Sequence, residues 1–304
     1  MPTENLEYPT KPYSKVNRYD VRGKRNAART LTVHQTNRKG KATYALKTIH
    51  ELVNTCPILH VSFNLPDSPF PMMLPMIGQM GSFARPSSDI GDVLELYLHG
   101  YVSSRLINLS RKKSGSKGDD LSSGNSTDAP ETQGLPITVG ASHIDGLVLS
   151  LTPNSHSYNY RSAVLFGHAE VVTDVEEKLW AMELITNSVV RDRYRNTRVP
   201  PNNAEMQSTS VLRVRIAAGS AKLRSGMPSD EKGDLEDAAL LDRVWTGVVP
   251  VHYTFGNPLP GPYNKLANPP AYLDEFVRES NLGAKDVALE AATKVMKPKA
   301  KRED

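Results

Sequence analysis

The stretch Leu94–Leu109, LELYLHGYVSSRLINL, changes its hydrophobic period halfway along. In its first half Leu94, Leu96 and Leu98 alternate with Glu95, Tyr97 and His99, the two-residue period of a strand. Beyond Gly100, Leu106, Ile107 and Ser110 fall at helical spacing, which predicts a helix over Ser103–Arg111. Further strand-like runs lie on the N-terminal side at Ile58–Phe63 and Phe70–Ile77, closely flanked by Pro and Gly. Ahead of them Ala45, Leu46, Ile49, Leu52, Val53 and Cys56 recur at spacings of three and four, a helix that Pro57 ends.

On the C-terminal side strands are expected at Gly146–Leu151, Arg161–Val172, Val211–Ile216 and near Val244–Tyr253. Thr173 and Glu176 read as a capping box. The helix they open has a core stripe of Val175, Leu179, Met182, Ile185 and Val189, with Arg191 and Arg193 at its negative end. A last helix over about Pro270–Val295 stands outside this core and is expected to cover a partner subunit or an edge. Strands with a few interposed helices are not a regular βαβ series. The pattern is mainly β within the α+β class, an antiparallel barrel of six or seven strands with peripheral helices.

A chain of 304 residues with 38% hydrophobic content can bury a full core. The net charge of +4 comes largely from the ends: Lys11–Lys41 holds ten Lys or Arg against Asp20 alone, and Lys294–Arg302 is Lys-rich. Residues 1–40 therefore read as a solvated basic arm rather than a nucleic-acid-binding module. The barrel is expected over 41–262, a helix and basic tail over 263–304. Within the barrel, 112–134 is rich in Ser, Gly, Asp and Thr without an aromatic residue, and is expected to be a disordered insertion. Cys56 alone excludes an internal disulfide. With no apolar run at the N-terminus and no membrane-length apolar run anywhere, a cytoplasmic location is expected.

No Rossmann or P-loop glycine pattern is present, and no H-E-x-x-H, CxxC pair or G-x-S-x-G. The eight histidines lack partners at metal-ligand spacing, so no metal site is expected. Two places can carry chemistry. At Ser103, Ser104 and Arg105 a helix start offers backbone N–H groups, two hydroxyls and a guanidinium to one small volume, a site for a phosphate. Gly100 would let the chain turn and a ligand approach. The same residues also fit a plain N-cap and a surface arginine. In His156–Val172, HSYNYRSAVLFGHAEVV, the side chains of His156, Tyr160, Arg161 and Ser162 gather at a strand start, where they can line a pocket for a planar ligand or close a satisfied loop.

With these residues quoted, the chain resembles the pyridoxamine 5'-phosphate oxidase-like, FMN-binding split β-barrel family, in its flavin-nucleotide-binding and nitroimidazole-reductase-like branch. Four stretches carry the likeness in order: YLHGYVSSRLINL, DGLVLSLTPNSHSYNYRSAVLFGHAEVV, TSVLRVRIAAGSAKLRSG and VWTGVVPV, together spanning roughly 18 to 262. The resemblance implies a homodimer with FMN at the subunit interface. It places Ser103, Ser104 and Arg105 on the phosphate and His99 and Gly100 beside the ribityl–phosphate arm. Leu74, Pro75 and Met76 would flank the ring, Arg161 and Ser162 would contact the flavin, and Trp245 would reach across the dimer. The oxidase's arginine beyond that tryptophan and its pyridoxal-phosphate residues have no counterpart, so vitamin B6 oxidation is not implied.

The implied activity is FMN-dependent oxidoreduction of a small organic substrate. His156 and Tyr160, with His99, are the side chains able to supply a proton, and each also fits a packing role. The alternatives are a flavin carrier or sensor without turnover, and a haem-binding relative with His156 on the iron.

Overall fold

The computed structural model describes residues 42–115 and 134–294. The basic arm, all but the ends of the 112–134 insertion, and the basic tail lie outside the described residues. In chain order the elements begin with β1 (Ala42–Thr43), α1 (Leu46–Thr55), β2 (Leu59–Phe63), β3 (Met72–Met76), β4 (Gly78–Gly81), β5 (Glu95–Tyr101) and α2 (Arg105–Gly115). They continue with β6 (Leu135–Leu149), β7 (Ser157–Val171), α3 (Val175–Val189), α4 (Asn203–Ser208), β8 (Thr209–Arg224), α5 (Lys232–Leu235), α6 (Ala238–Arg243), β9 (Gly247–Pro250) and α7 (Ala271–Thr293).

The strands run β3-β2-β6-β7-β8-β5-β4, with β1 on β8 and β9 on β6. β2 pairs antiparallel with β3 and β6, and β5 with β4 and β8. The fold is the expected antiparallel split barrel with peripheral helices. Two compact units divide the chain, one from Met1–Ala141 and Ala163–Ala221, the other from Ser142–Ser162 and Lys222–Asp304.

In the first unit α1 buries Leu46, Ile49, Leu52 and Val53, the stripe its spacing predicts. On β5 the alternation predicts one buried face, yet Tyr97 is buried along with Leu96 and Leu98. The reason is α3, which covers the second face: Tyr97 meets Trp180 edge-on at 5.1 Å, and Val172, Ala181, Ile185 and Val211 complete that cluster. Two expectations for α3 are corrected. Its N-cap is Asp174, whose side chain accepts from Glu177 N at 2.7 Å, one residue beyond the predicted Thr173. Its buried positions are Glu177, Ala181 and Ile185, while Val175 and Val189 stand in solvent. Glu177 tolerates burial because it accepts from Tyr97 Oη at 2.8 Å and from Arg213 Nη1 at 2.9 Å. β6 begins at Leu135, well before the predicted Gly146, and β8 runs on to Arg224 past the predicted Ile216.

In the second unit β9 pairs antiparallel with β6, from Gly146 opposite Pro250 to Leu149 opposite Gly247. The predicted strand was longer. It stops at Pro250, whose following residues form neither helix nor strand until α7. α7 packs on its own chain: Ala288 and Ala292 are buried, and Ala291 O accepts from Gly226 N at 2.7 Å and from Asn159 Nδ2 at 3.3 Å. No helix among the described residues is long and apolar enough to cross a membrane.

Candidate functional site

The first unit gathers Leu74, Pro75, Met76, His99, Gly100, Ser103, Ser104 and Arg105. β3 lies against β2, with Pro75 opposite His60 and Met76 opposite Leu59. At the far end of β5, His99 N donates to Ile77 O at 3.0 Å, which sets this strand end beside the residue after Met76. Gly100 is buried, and a Cβ there would stand 3.3 Å from Ile107 Cδ1 and 3.6 Å from Met76 Cε. Its lack of a side chain serves the packing of α2 and β3 against β5. The cover that α3 gives Tyr97 ends before His99 and Tyr101, which stand exposed on the same face. Desolvation by its surroundings lowers the His99 pKa.

The turn from Tyr101 to Ser104 is closed by Ser104 N donating to Tyr101 O at 2.9 Å. Ser104 then caps α2: its carbonyl accepts from Asn108 N at 3.0 Å and its Oγ from Ile107 N at 3.4 Å. With Oγ already accepting, the hydroxyl hydrogen of Ser104 remains to donate outward. The amides of Arg105 and Leu106 have no carbonyl one turn earlier within the helix. Arg105 is exposed and has no hydrogen-bond or ion-pair partner among the described residues. Ser103 is exposed beside it. An open guanidinium, outward hydroxyls and a helix start of unspent amides form a complete set of donors for a phosphate.

Sequence reasoning missed what braces this turn. Arg111, two turns along α2, donates through Nη1 to Val102 O at 3.1 Å and through Nη2 to Ser210 Oγ at 3.2 Å. Nothing in the local pattern marks Arg111, because its partners come from the preceding turn and from β8. Lys178 Nζ donates to Met206 O at 2.5 Å, and burial followed by the Arg111 charge lowers its pKa. A cavity of about 380 Å³, lined by Leu65, Pro66, Leu109, Lys112, Lys113 and Pro136 among others, also lies in the first unit; no predicted site residue lines it.

The second unit holds His156, Tyr160, Arg161, Ser162 and Trp245. Arg161 is engaged: Nε and Nη2 donate to the two oxygens of Asp145 at 2.8 and 2.9 Å, a bidentate pair around a buried carboxylate. Ser162 Oγ donates to Lys222 O at 3.2 Å. Lys222 Nζ stands 5.8 Å from the centre of the Tyr160 ring, a cation–π contact. Buried Asn159 binds Arg224 Nη1 through its Oδ1 at 2.5 Å. Burial lowers the Arg224 pKa. His156 is exposed, with Nδ1 2.9 Å from Thr152 O. A carbonyl only accepts, so Nδ1 donates this bond. Trp245 is exposed and lies over Gly247, where a Cβ would come within 2.7 Å of its ring.

Residues 120–223 match the family model described as pyridoxamine 5'-phosphate oxidase. The match takes in β6, β7 and nearly all of β8, and leaves out the α2 start and β9. Among solved structures, the FAD and haem binding protein from Mycobacterium smegmatis is 25% identical, covers 78% of this chain and 97% of its own, and superposes with a TM-score of 0.59. The flavocytochrome Anf3 from Azotobacter vinelandii is 24% identical, with 78% and 92% covered and a TM-score of 0.57. No curated protein sequence gives a significant match.

Proposed function

We propose that this chain, built as a pyridoxamine 5'-phosphate oxidase-like split barrel, is a cytoplasmic homodimeric flavoprotein. It holds flavin mononucleotide by its phosphate at the start of α2 and serves as an oxidoreductase for a small organic substrate. The observation that carries this reading is Arg105, exposed and without a partner among the described residues, next to Ser103 and Ser104 at the start of an eleven-residue helix. The likeness to an FAD and haem binding protein over most of both chains supports flavin binding.

Bound flavin supplies the electron-transfer chemistry, and the protein supplies position and electrostatics. Arg105 would form parallel N–H bonds to the phosphate while Ser103 and Ser104 donate their hydroxyls. Arg111 acts through the turn it clamps. His99, whose pKa desolvation lowers, has a ring that can hold or pass a proton. A second reading is haem binding. It is favoured by the exposed His156, whose Nδ1 is tethered to a backbone carbonyl so that Nε2 is the nitrogen left for an axial ligand.

The absorption spectrum of the purified protein, with the mass of any small molecule released from it, tests both. The expected result is a two-band flavin spectrum and FMN. A sharp Soret band with no flavin supports the second reading and overturns the first. Reoxidation of the reduced protein by candidate acceptors separates an oxidoreductase from a carrier.

A further inference from the structure

Between Trp245 and Leu266 six aromatic and leucine side chains stand in water: Leu259 is 90% exposed, Tyr263 89%, Tyr253 69%, Trp245 66%, Leu266 62% and Phe255 46%. No Asp or Glu occurs from Val244 to Asn268, and Lys265 is the single Lys or Arg. Depletion of charge together with aromatic enrichment marks the centre of an interface rather than a solvated loop. Large aromatic side chains present about 150–250 Å² each. At these exposures the six offer roughly 800 Å², one partner's share of a standard interface and more than the largest apolar patch of a typical monomer.

The segment is shaped to present this surface. Its base is fixed on α7, where the Asn281 amide accepts from Phe255 N at 2.7 Å and donates to Phe255 O at 2.9 Å, and the Phe255 ring tilts onto Phe276 at 5.4 Å. Pro258, Pro260 and Pro262 then alternate with Leu259, Gly261 and Tyr263. Each proline removes a backbone donor and holds φ near that of an extended chain, so the stretch cannot fold back into a ladder of its own.

We propose that residues 245–266 form an arm that packs against a second copy of this chain. The inference rests on the homodimer reading above and names the element that holds the dimer together. Every copy carries the arm, so a two-fold axis lets each copy cover the other's arm and closes the assembly. The apolar area matches one half of such an interface.

Sedimentation equilibrium of the full chain and of the variant Leu259→Glu/Tyr263→Glu tests it. Both side chains stand almost wholly in solvent, so the variant keeps the parent's circular dichroism while its dimer dissociation constant rises by roughly 100-fold or more. A variant that dimerises as tightly as the parent overturns the arm and leaves the homodimer reading standing; a parent chain that is monomeric up to high micromolar concentration overturns both. A second measurement uses the unaltered sequence. Amide exchange across 251–266 is slowed at micromolar and fast at nanomolar concentration if the arm is covered by another copy, and equal rates at both contradict it. Neither readout depends on flavin, so a flavin-free protein leaves the arm untouched.

Discussion

Two arginines that a sequence reader would assign to one cofactor sit in opposite circumstances. Arg105 in the first unit is exposed and has no protein partner among the described residues, whereas Arg161 in the second is bonded twice to a carboxylate that is almost wholly buried. The residue type is the same, though Arg105 opens a helix while Arg161 lies within β7. What differs is whether the fold itself brings an anion. Asp145 on β6 is bonded to Arg161, whereas among the described residues no acid pairs with Arg105, so one guanidinium stabilises the fold while the other is open to a ligand.

Substitution should cross the two. Arg161→Ala leaves Asp145 buried without its counter-charge. It should cost about 3 kcal/mol, the lower end for broken buried pairs because a quarter of the Arg161 side chain meets water. Denaturant unfolding measures this, and FMN affinity per folded molecule should be unchanged. Arg105→Ala should do the reverse. Stability should stay within about 0.5 kcal/mol. FMN affinity should fall about 10- to 150-fold, the equivalent of a charge-assisted hydrogen bond, measured by flavin fluorescence titration.

Ser104 sharpens the contrast because it serves both purposes. Ser104→Ala removes the cap on Ile107 N and the outward hydroxyl together, so it should lower stability by about 1 kcal/mol and weaken FMN by a smaller factor than Arg105→Ala.

Acid tests the first unit alone. His50 is wholly buried, its Nδ1 2.8 Å from Ile90 O, and burial lowers its pKa. The unfolded chain takes up a proton near the ordinary pKa of about 6.5 while the folded one resists it, so stability present above that pH is lost as pH falls below it. The melting temperature should drop from pH 7.5 towards pH 5.5, and by less in His50→Gln. An equal drop in both would remove His50 from the explanation.

The fold was legible wherever one period ruled a whole element. The α1 stripe and the strand-to-helix change at Gly100 are visible in the residue spacing because each depends on neighbours within a turn or two. Burial of Tyr97 was not, since it depends on α3, a helix far along the chain whose own stripe is set by small Ala181 and by a glutamate that is satisfied only once Tyr97 and Arg213 are in place. Of the site, the residues at the α2 start could be named because capping and phosphate binding use consecutive positions. The Arg161–Asp145 pair, the Arg111 brace and the Tyr160–Lys222 contact join residues from different strands or turns, and no spacing rule reaches them.

The central claim is that a phosphate, rather than a ring alone, is held at the start of α2. The most direct measurement compares the affinity of the parent protein and of Arg105→Ala for FMN and for riboflavin, which lacks the phosphate. The account predicts that the parent prefers FMN by at least about tenfold and that Arg105→Ala loses most of that preference while binding riboflavin as before. Equal affinity of the parent for both flavins, or a preference that survives in Arg105→Ala, would contradict it.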